Sequence, residues 1–368
     1  MKVIACVFNN LYTDQRVEKV CRSLLENGYE IELIGNSWGG LPELTRPYPF
    51  HRINLNSSNL KLAYPEFNFK LYFELLKRAD KNTVLLANDL DTLAASYLVS
   101  RKLNVPLVYD SHEIFTEMPA VNGRFTQKIW RKLERNLVPK ISYMITASDS
   151  YATWFEKKYL IKKPVVVQNF PVKISQPDDI AAENEPKIIL YQGVINPSRG
   201  LDKVIPAMKT IWNAQLWIAG DGPKRKEYEA LTKSFKLEQK IKFLGKLPPS
   251  ELRKLTGKAD VGLSIEENNG ESYYYSLPNK ISDYIQAGIP IVVSNFPEMK
   301  RIIEAFEIGE CISNHSEQEL SSKINRVLTK GKKFYKERLE SAAAQLCWEN
   351  EEPKLIELFK KVQTENFQ

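Results

Sequence analysis

Lys280 and Asp283 stand three residues apart in a run, Ser276 to Val293, whose order of Pro, polar residues, apolar periodicity, Gly and Pro gives a helix followed by a strand. Pro278 fits a first turn, so Asn279 and Lys280 fall at a helix N-terminus. There the free backbone N–H groups, the positive dipole end and an ammonium all favour a phosphate. Asp283 follows one turn on, where a carboxylate can accept two ribose hydroxyls, and Gly288 and Pro290 close the helix. The alternative for Lys280 and Asp283 is an i,i+3 ion pair on a helix surface. A second loop, Tyr191 to Gly200, runs from a strand end through Gly193 to a helix start with Arg199 in its mouth. It offers a diphosphate clamp of backbone N–H groups and guanidinium, or an ordinary connection with an exposed arginine. Ala219 to Pro223 repeats the plan, with Gly220 and Gly222 allowing close backbone approach or a tight turn. In the first half, His112 and Glu113 sit just past a strand end, and Asn88, Asp89 and Asp91 sit at a neighbouring one. His112 could donate to a sugar hydroxyl, polarise a reacting group, or be structural. The Asn88 to Asp91 set could serve the same crevice or cap the next helix.

Those loops need strands to hold them. In the first half strands are predicted over 2–8, 29–34, 83–87, 107–109, 143–147 and 165–168, with helices over 15–26, 91–103 and 127–138. Between Asn169 and Pro186 the chain turns polar and is interrupted by Pro, as a linker would be, which puts a domain boundary near residue 172. The pattern then restarts. Strands are predicted over 187–192, 215–219, 241–244, 261–264 and 291–294, and helices over 200–209, 224–234, 249–254 and 280–286. Helical patterns over 317–328 and 332–346 follow, and the stretch Trp348 to Pro353 interrupts them before a last amphipathic helix to about Val362, with Pro353 in its first turn. Strands alternating with helices mean parallel βαβ winding, so both halves are expected to be doubly wound α/β units. The expected domains are 1–171, joined by 353–368, and 172–352. In such sheets ligands gather beyond the carboxyl ends of the strands, where all four loops lie.

At 368 residues the chain exceeds one ordinary core, and 43% apolar with 26% charged residues excludes a disordered or fibrous class. The N-terminus is apolar for too few residues to form a signal-peptide core, and no run reaches the length that spans a bilayer, so a cytoplasmic place is expected. Cys6, Cys21, Cys311 and Cys347 lack metal-ligand spacing and are expected as reduced thiols. Residues 1–170 carry 23 Lys/Arg against 17 Asp/Glu, and residues 171–368 carry 29 against 28, so the net charge of +7 belongs almost wholly to the first half. That bias suits phosphates or anionic lipid, or is simply a solvated surface.

Taken together these segments resemble the retaining glycosyltransferases of family four, which have the GT-B fold, over almost the whole chain. The resemblance rests on Asp14 to Val17 with Asn27 to Glu30, the Asp-Ser-His-Glu run ending at Glu113, the 191–200 loop, the 219–223 loop, Phe243 to Gly245, the 278–290 run, and Trp348-Glu349 with the terminal helix. It implies two Rossmann-like domains facing across a cleft, with the C-terminal helix crossing back to the N-terminal domain. It further implies a nucleoside diphosphate sugar as donor, with Arg199 and Lys280 on the diphosphate, Asp283 on the ribose, Gly193 under the donor, and Gly245 and Lys246 near the base. Pro278 and Asn279 complete the donor site. The family's paired glutamates fall on Asp283 and on Tyr275, which is no carboxylate, so Glu271, Glu267 or Asn269 is expected to substitute, with Tyr275, Ser276 and Leu277 beside the sugar. The arginine that often follows the first loop's glycine is Val194 here.

The resemblance makes His112, Arg199 and Lys280 the catalytic set and places Asn10, Arg16, Asp89 and Glu113 on the acceptor side. It implies that the departing phosphate takes the acceptor proton. Neither cofactor nor metal is expected, because Lys and Arg neutralise the diphosphate and no Asp-x-Asp closes a strand of the second half. The acceptor is expected to be a glycan or lipid-linked glycan of surface polysaccharide biosynthesis, with no nucleic-acid partner. Over 124–140, Phe125, Ile129, Leu133 and Leu137 recur at helical spacing among six basic residues, opposed only by Glu134. This helix either lies on anionic lipid at the inner membrane face or packs its stripe on the core and solvates its basic face. Other readings of the same signals are a GT-B-fold sugar-nucleotide epimerase and a non-catalytic nucleotide-sugar or glycan-binding subunit. An NAD-dependent enzyme is disfavoured because no GxGxxG follows the first strand.

Overall fold

Strands buried on both faces read as short continuous apolar runs, and they can pair in parallel only when a helix carries the chain back across the sheet. In the computed structural model, which describes residues 1–12, 14–173 and 185–367, this gives two units, Met1–Asn169 with Glu351–Gln368, and Phe170–Asn350. The greater part of the expected linker lies outside the described residues.

The first unit runs β1 (Lys2–Cys6), α1 (Gln15–Glu26), β2 (Glu30–Asn36), β3 (Phe50–Ile53), α2 (Leu60–Arg78), β4 (Thr83–Asn88), α3 (Leu90–Leu103), β5 (Leu107–Ser111), α4 (Phe125–Leu137), β6 (Tyr143–Thr146), α5 (Asp149–Tyr159) and β7 (Val165–Val166). The strands are parallel, in the order β3-β2-β1-β4-β5-β6-β7. The order reverses between β1 and β4, and this switch point is where an open α/β sheet receives ligands. Asp14 caps α1 by accepting from Val17 N, and Asn9 Nδ2 donates to the same carboxylate at 2.8 Å, so the β1 loop is pinned to the helix it feeds.

The second unit runs β8 (Lys187–Gln192), α6 (Leu201–Ala207), β9 (Ala214–Ala219), α7 (Arg225–Ser234), β10 (Ile241–Gly245), α8 (Pro249–Lys258), β11 (Val261–Ser264), α9 (Glu271–Tyr274), α10 (Asn279–Gln286), β12 (Ile291–Ser294), α11 (Pro297–Phe306), β13 (Gly309–Ile312) and α12 (Glu317–Gln345). Its six parallel strands lie in the order β10-β9-β8-β11-β12-β13, with the reversal between β8 and β11. Ile281, Tyr284 and Ile285, at i, i+3 and i+4, seat α10 on this sheet with no exposure. Tyr284 lies against Gly262, where a Cβ would stand 2.5 Å from the ring. Its hydroxyl donates towards Leu190 O and Leu263 O and accepts from Gln192 N at 3.1 Å, which fastens α10 across the switch point.

Several expectations are corrected. The stretch from Trp348 does not interrupt the helix: α13 (Trp348–Asn366) is continuous, with Pro353 inside it. Proline there removes one hydrogen bond near the helix start. Anchors outside the helix offset it, since Trp348 N donates to Pro171 O, Glu349 accepts from Lys173 N, and Glu351 accepts from Gln168 N at 2.9 Å. From Glu351 on, α13 belongs to the first unit, with Phe359 against Tyr29 at 5.9 Å and Glu365 accepting from Tyr143 Oη at 2.6 Å. The helices over 317–328 and 332–346 form α12, broken at Gly331, whose φ is 71°. On α4 the predicted stripe faces outward at its start: Phe125 is 74% and Ile129 56% exposed, while Gln127 and Glu134 are buried. The strands β3 and β13 and the helices α2, α5, α9 and α11 lie outside the predicted set. The cysteines carry no disulfide, and burial pushes the Cys6 thiol up to about 12, the state of an inert core thiol.

Candidate functional site

At the switch point of the second unit, β8 and β11 deliver two loops and α10 delivers its first turn. Arg199 comes from the loop after β8, Glu266 from the loop after β11, and Lys280 from the second residue of α10. Glu266 is wholly buried, and its Oε1 accepts from Lys280 Nζ at 2.7 Å and from Arg199 Nη1 at 3.2 Å, while Oε2 accepts from Ser264 Oγ at 2.8 Å. Tyr191 lies under the Lys280 ammonium at 4.3 Å and Tyr273 under the Arg199 guanidinium at 4.7 Å, faces that favour cations. Arg199 Nε is buried without a hydrogen-bond partner among the described residues. Burial pulls the Lys280 ammonium below its usual range and Arg199 adds to the pull, while Glu266 opposes it. Burial would raise the Glu266 carboxyl, but Lys280 and Arg199 outweigh it and hold it below the usual value. Two cations and one carboxylate leave a net positive charge, the arrangement that accepts a further anion.

Lys280 turns to Glu266, in place of the alternative i,i+3 pairing with Asp283. Asp283, exposed on α10, accepts from Gln192 Nε2 at 2.9 Å, and Gln192 Oε1 accepts from Thr256 Oγ1 at 2.8 Å. Gly193 adjoins the clamp, for a Cβ there would lie 3.8 Å from Lys280 Cε. Gly220 backs it up: its φ is 153° and a Cβ would stand 1.9 Å from Gly193 O, so no side chain fits. Asn279 opens α10 at an exposed position, and Pro278 is its N-cap. Leu277 packs on the core, Ser276 Oγ donates to Tyr273 O at 2.8 Å, and Tyr275 stacks against Tyr274 at 5.0 Å. Glu271 is exposed at the start of α9. Gly245 and Lys246 lie at the end of the edge strand β10, two strands from β8, with Gly220 N donating to Gly245 O at 2.8 Å. Glu266 was missed by sequence reasoning although it stands just past an apolar strand; the carboxylates 267 and 271 drew the attention instead.

In the first unit the loops after β1, β4 and β5 converge. Arg16 donates to Asp110 through Nε at 3.1 Å and Nη2 at 2.7 Å, and to Val167 O through Nη1 at 2.7 Å. Arg16, expected on the acceptor side, is thus a buried support beneath the loops, 4% exposed. Asp110, also missed, is wholly buried; burial would raise its carboxyl, but Arg16 and then His112 hold it well below the usual range. His112 is 18% exposed, with Nδ1 3.2 Å from Asp89 Oδ2 and Nε2 3.2 Å from Asn88 Oδ1 and 3.5 Å from Asp110 Oδ2. Burial would lower its pKa, yet Asp89 and Asp110 raise it well above the ordinary value, which favours the imidazolium. Asp89 also accepts from His112 N at 2.9 Å, and its backbone sits at φ 59°, ψ 167°, a strained geometry for a residue with a side chain. Asp91 is driven towards its neutral acid by burial and by Asp89, and its Oδ1 is buried without a partner. Asn10 accepts from Tyr12 N at 3.2 Å, and Glu113 is half-buried beside His112.

Among the described residues no helix is long and apolar enough to cross a membrane. On α4, Arg124, Lys128, Lys132 and Arg135 are exposed around Phe125 and Ile129. Glu134, the one acid of that stretch, points inward and accepts from Thr116 and Tyr159, so it does not offset the outer charge.

Comparison with known proteins gives the following. The family described as glycosyl transferases group 1 matches residues 172–345, and the one described as glycosyltransferase family 4 matches residues 14–171. An uncharacterized glycosyltransferase of Methanocaldococcus jannaschii, MJ1607, is 24% identical over 84% of this chain and 83% of its own. The putative colanic acid biosynthesis glycosyltransferase WcaL of Escherichia coli is 20% identical over 49% of this chain and 46% of its own. Among solved structures, Anabaena HepE in complex with UDP matches 98% of this chain and 100% of its own, with a TM-score of 0.76 at 16% identity.

Proposed function

Since the chain belongs to the glycosyltransferases of group 1 and family 4 and has their GT-B fold of two Rossmann-like units, we propose that it transfers a hexose-type sugar, with retention, from a nucleoside diphosphate sugar to a glycan or lipid-linked acceptor in surface polysaccharide biosynthesis. The observation that carries the donor reading is the convergence of Arg199 and Lys280 on one buried carboxylate at the β8/β11 switch point, beside Gly193 and the first turn of α10. Phosphate oxygens would meet the two cations and the backbone N–H groups of Asn279 and Lys280, while Asp283 takes the ribose and Gly245 with Lys246 borders the base. As the bond from the anomeric carbon to the diphosphate breaks, negative charge grows on the leaving oxygen, and fixed cations there lower the barrier more than they stabilise the ground state. Arg199 and Lys280 thereby stand in the place a metal would take. The sugar lies against Glu271 and the segment Tyr275 to Leu277. HepE was solved in complex with UDP, which supports a uridine nucleotide as the first donor to try.

In the first unit His112 orients the sugar through its charge, with Asp89, Glu113 and Asn10 facing the acceptor, while Arg16 fixes Asp110 below. The outward stripe of Phe125 and Ile129 within the basic face of α4 supports docking on anionic lipid, where a lipid-linked acceptor resides. The test is product analysis with UDP- and GDP-sugars and a lipid-linked oligosaccharide extract. Transfer should release nucleoside diphosphate and leave the anomeric configuration of the donor in the product. An epimerised nucleotide sugar with no diphosphate released would place the protein among the epimerases instead.

A further inference from the structure

Under the donor clamp lies a group that no step above engages with the donor itself. Glu266 stands two residues past β11 with its carboxylate out of solvent, and its hydrogen-bond neighbours fix its direction. Ser264 Oγ holds Oε2 at 2.8 Å, leaving Oε1 for both cations, at 2.7 Å from Lys280 and 3.2 Å from Arg199. Its backbone is held too: Ser294 Oγ donates to Glu266 O at 2.6 Å and Glu267 N donates to Ser198 O at 2.9 Å, which joins the β11 loop to the loop carrying Arg199. We propose that Glu266 is a positioning residue for the donor reaction, aiming Arg199 and Lys280 at the diphosphate without touching the donor.

The inference rests on the donor reading and follows from the geometry around it. Two cations on long side chains, side by side in a buried site, repel and swing apart unless an anion is shared between them. The rings of Tyr191 and Tyr273 attract the cations but impose little direction, whereas a single carboxylate oxygen fixes both donors at one point. Lys280 is the vulnerable member, because a buried ammonium beside a guanidinium gives up its proton more readily, and Glu266 is the main group opposing that loss. With Glu266 present, its carboxylate faces both cations and favours the charged form of Lys280. Without it, Lys280 turns neutral as pH rises and the diphosphate loses one of its two cations.

The experiment is calorimetric titration of the whole chain with UDP-glucose and GDP-mannose, whose diphosphates keep a fixed charge through the range, at pH 6.5, 7.5 and 9. Glu266→Gln should weaken by roughly tenfold or more between pH 6.5 and 9, a steeper fall than that of the wild type over the same range. Glu266→Gln combined with Lys280→Met should bind weakly at every pH and lose that slope, since the titrating group is gone. Glu266→Asp keeps the charge but withdraws it from Nζ, so it should bind several-fold more weakly with a flat profile. This variant decides the matter if Glu266→Gln fails to fold. A Glu266→Gln affinity equal to wild type at pH 9, or a Glu266→Asp affinity equal to wild type, overturns the positioning role. A wild type that binds neither nucleotide sugar instead overturns the donor reading beneath it.

Discussion

Replacing Arg16 by methionine keeps a long apolar stem and removes only the guanidinium, and the structure says how much that should matter. Arg16 and Asp110 form a pair that is 4% and 1% exposed, joined by two hydrogen bonds of 3.1 and 2.7 Å. Breaking such a buried pair from one side costs about 3–5 kcal/mol, because the remaining charge stays out of water. His112 still faces Asp110 at 3.5 Å, so the lower end, about 3 kcal/mol, applies. For a unit of this size each kcal/mol moves the melting temperature by about 2–4 °C, so the first unit should melt about 6–12 °C lower at pH 7.5. The sign of the pH dependence follows from the direction of the Asp110 shift. A carboxyl held below its ordinary value contributes stability that is present above that ordinary value and is lost as pH falls through the folded one. The deficit of Arg16→Met should therefore shrink as pH drops below about 4, where Asp110 of the unfolded chain takes up its proton while that of the folded wild type stays ionised. Differential scanning calorimetry from pH 3 to 8 measures both. A shift under about 2 °C at pH 7.5, or a deficit that does not vary with pH, would refute the reasoning.

Two further outcomes are expected. His112 is held above its ordinary pKa, so its contribution is complete below about 6.5 and fades as pH rises through the folded value. Wild-type melting should fall on the alkaline side while His112→Asn, already lower, loses that slope; equal slopes would show that another group titrates. Phe125→Asp with Ile129→Asp should abolish sedimentation with phosphatidylglycerol vesicles at low salt while leaving the melting temperature within about 2 °C, since both residues are exposed. Binding that persists in the double variant would take the lipid contact away from α4.

The strands that carry the site could be read from sequence because they are buried on both faces and so stay apolar without a break, as in Ile188 to Tyr191 and Val261 to Leu263. The elements left out are those with weaker local patterns. β3 is an edge strand containing His51 and Arg52, and α2 carries Pro65 and an outward Phe69 that blur its helical period. The α10 run was readable because Pro, Asn, Lys, Asp and Gly occupy the positions a helix over a switch point demands. Its charge partner was not. Lys280 meets Glu266, 14 residues earlier, and Arg199 meets it across 67, while Arg16 meets Asp110 across 94. Such pairings are set by strand order, and two adjacent carboxylates, Glu266 and Glu267, look alike until the sheet buries one of them. The same limit applies to α4, where spacing gives a stripe but only packing shows that Gln127, Glu134 and the half-buried Trp130 face inward.

The central claim, that the second unit holds a nucleoside diphosphate sugar between Arg199 and Lys280, is tested most directly by equilibrium titration of the whole chain with UDP- and GDP-sugars. Wild type should bind at least one of them saturably. Arg199→Ala and Lys280→Ala should each weaken that binding by roughly tenfold or more, the loss of a charge-assisted hydrogen bond or two. Saturable binding unchanged in both variants, or no binding by the wild type to any of the nucleotide sugars, would contradict it.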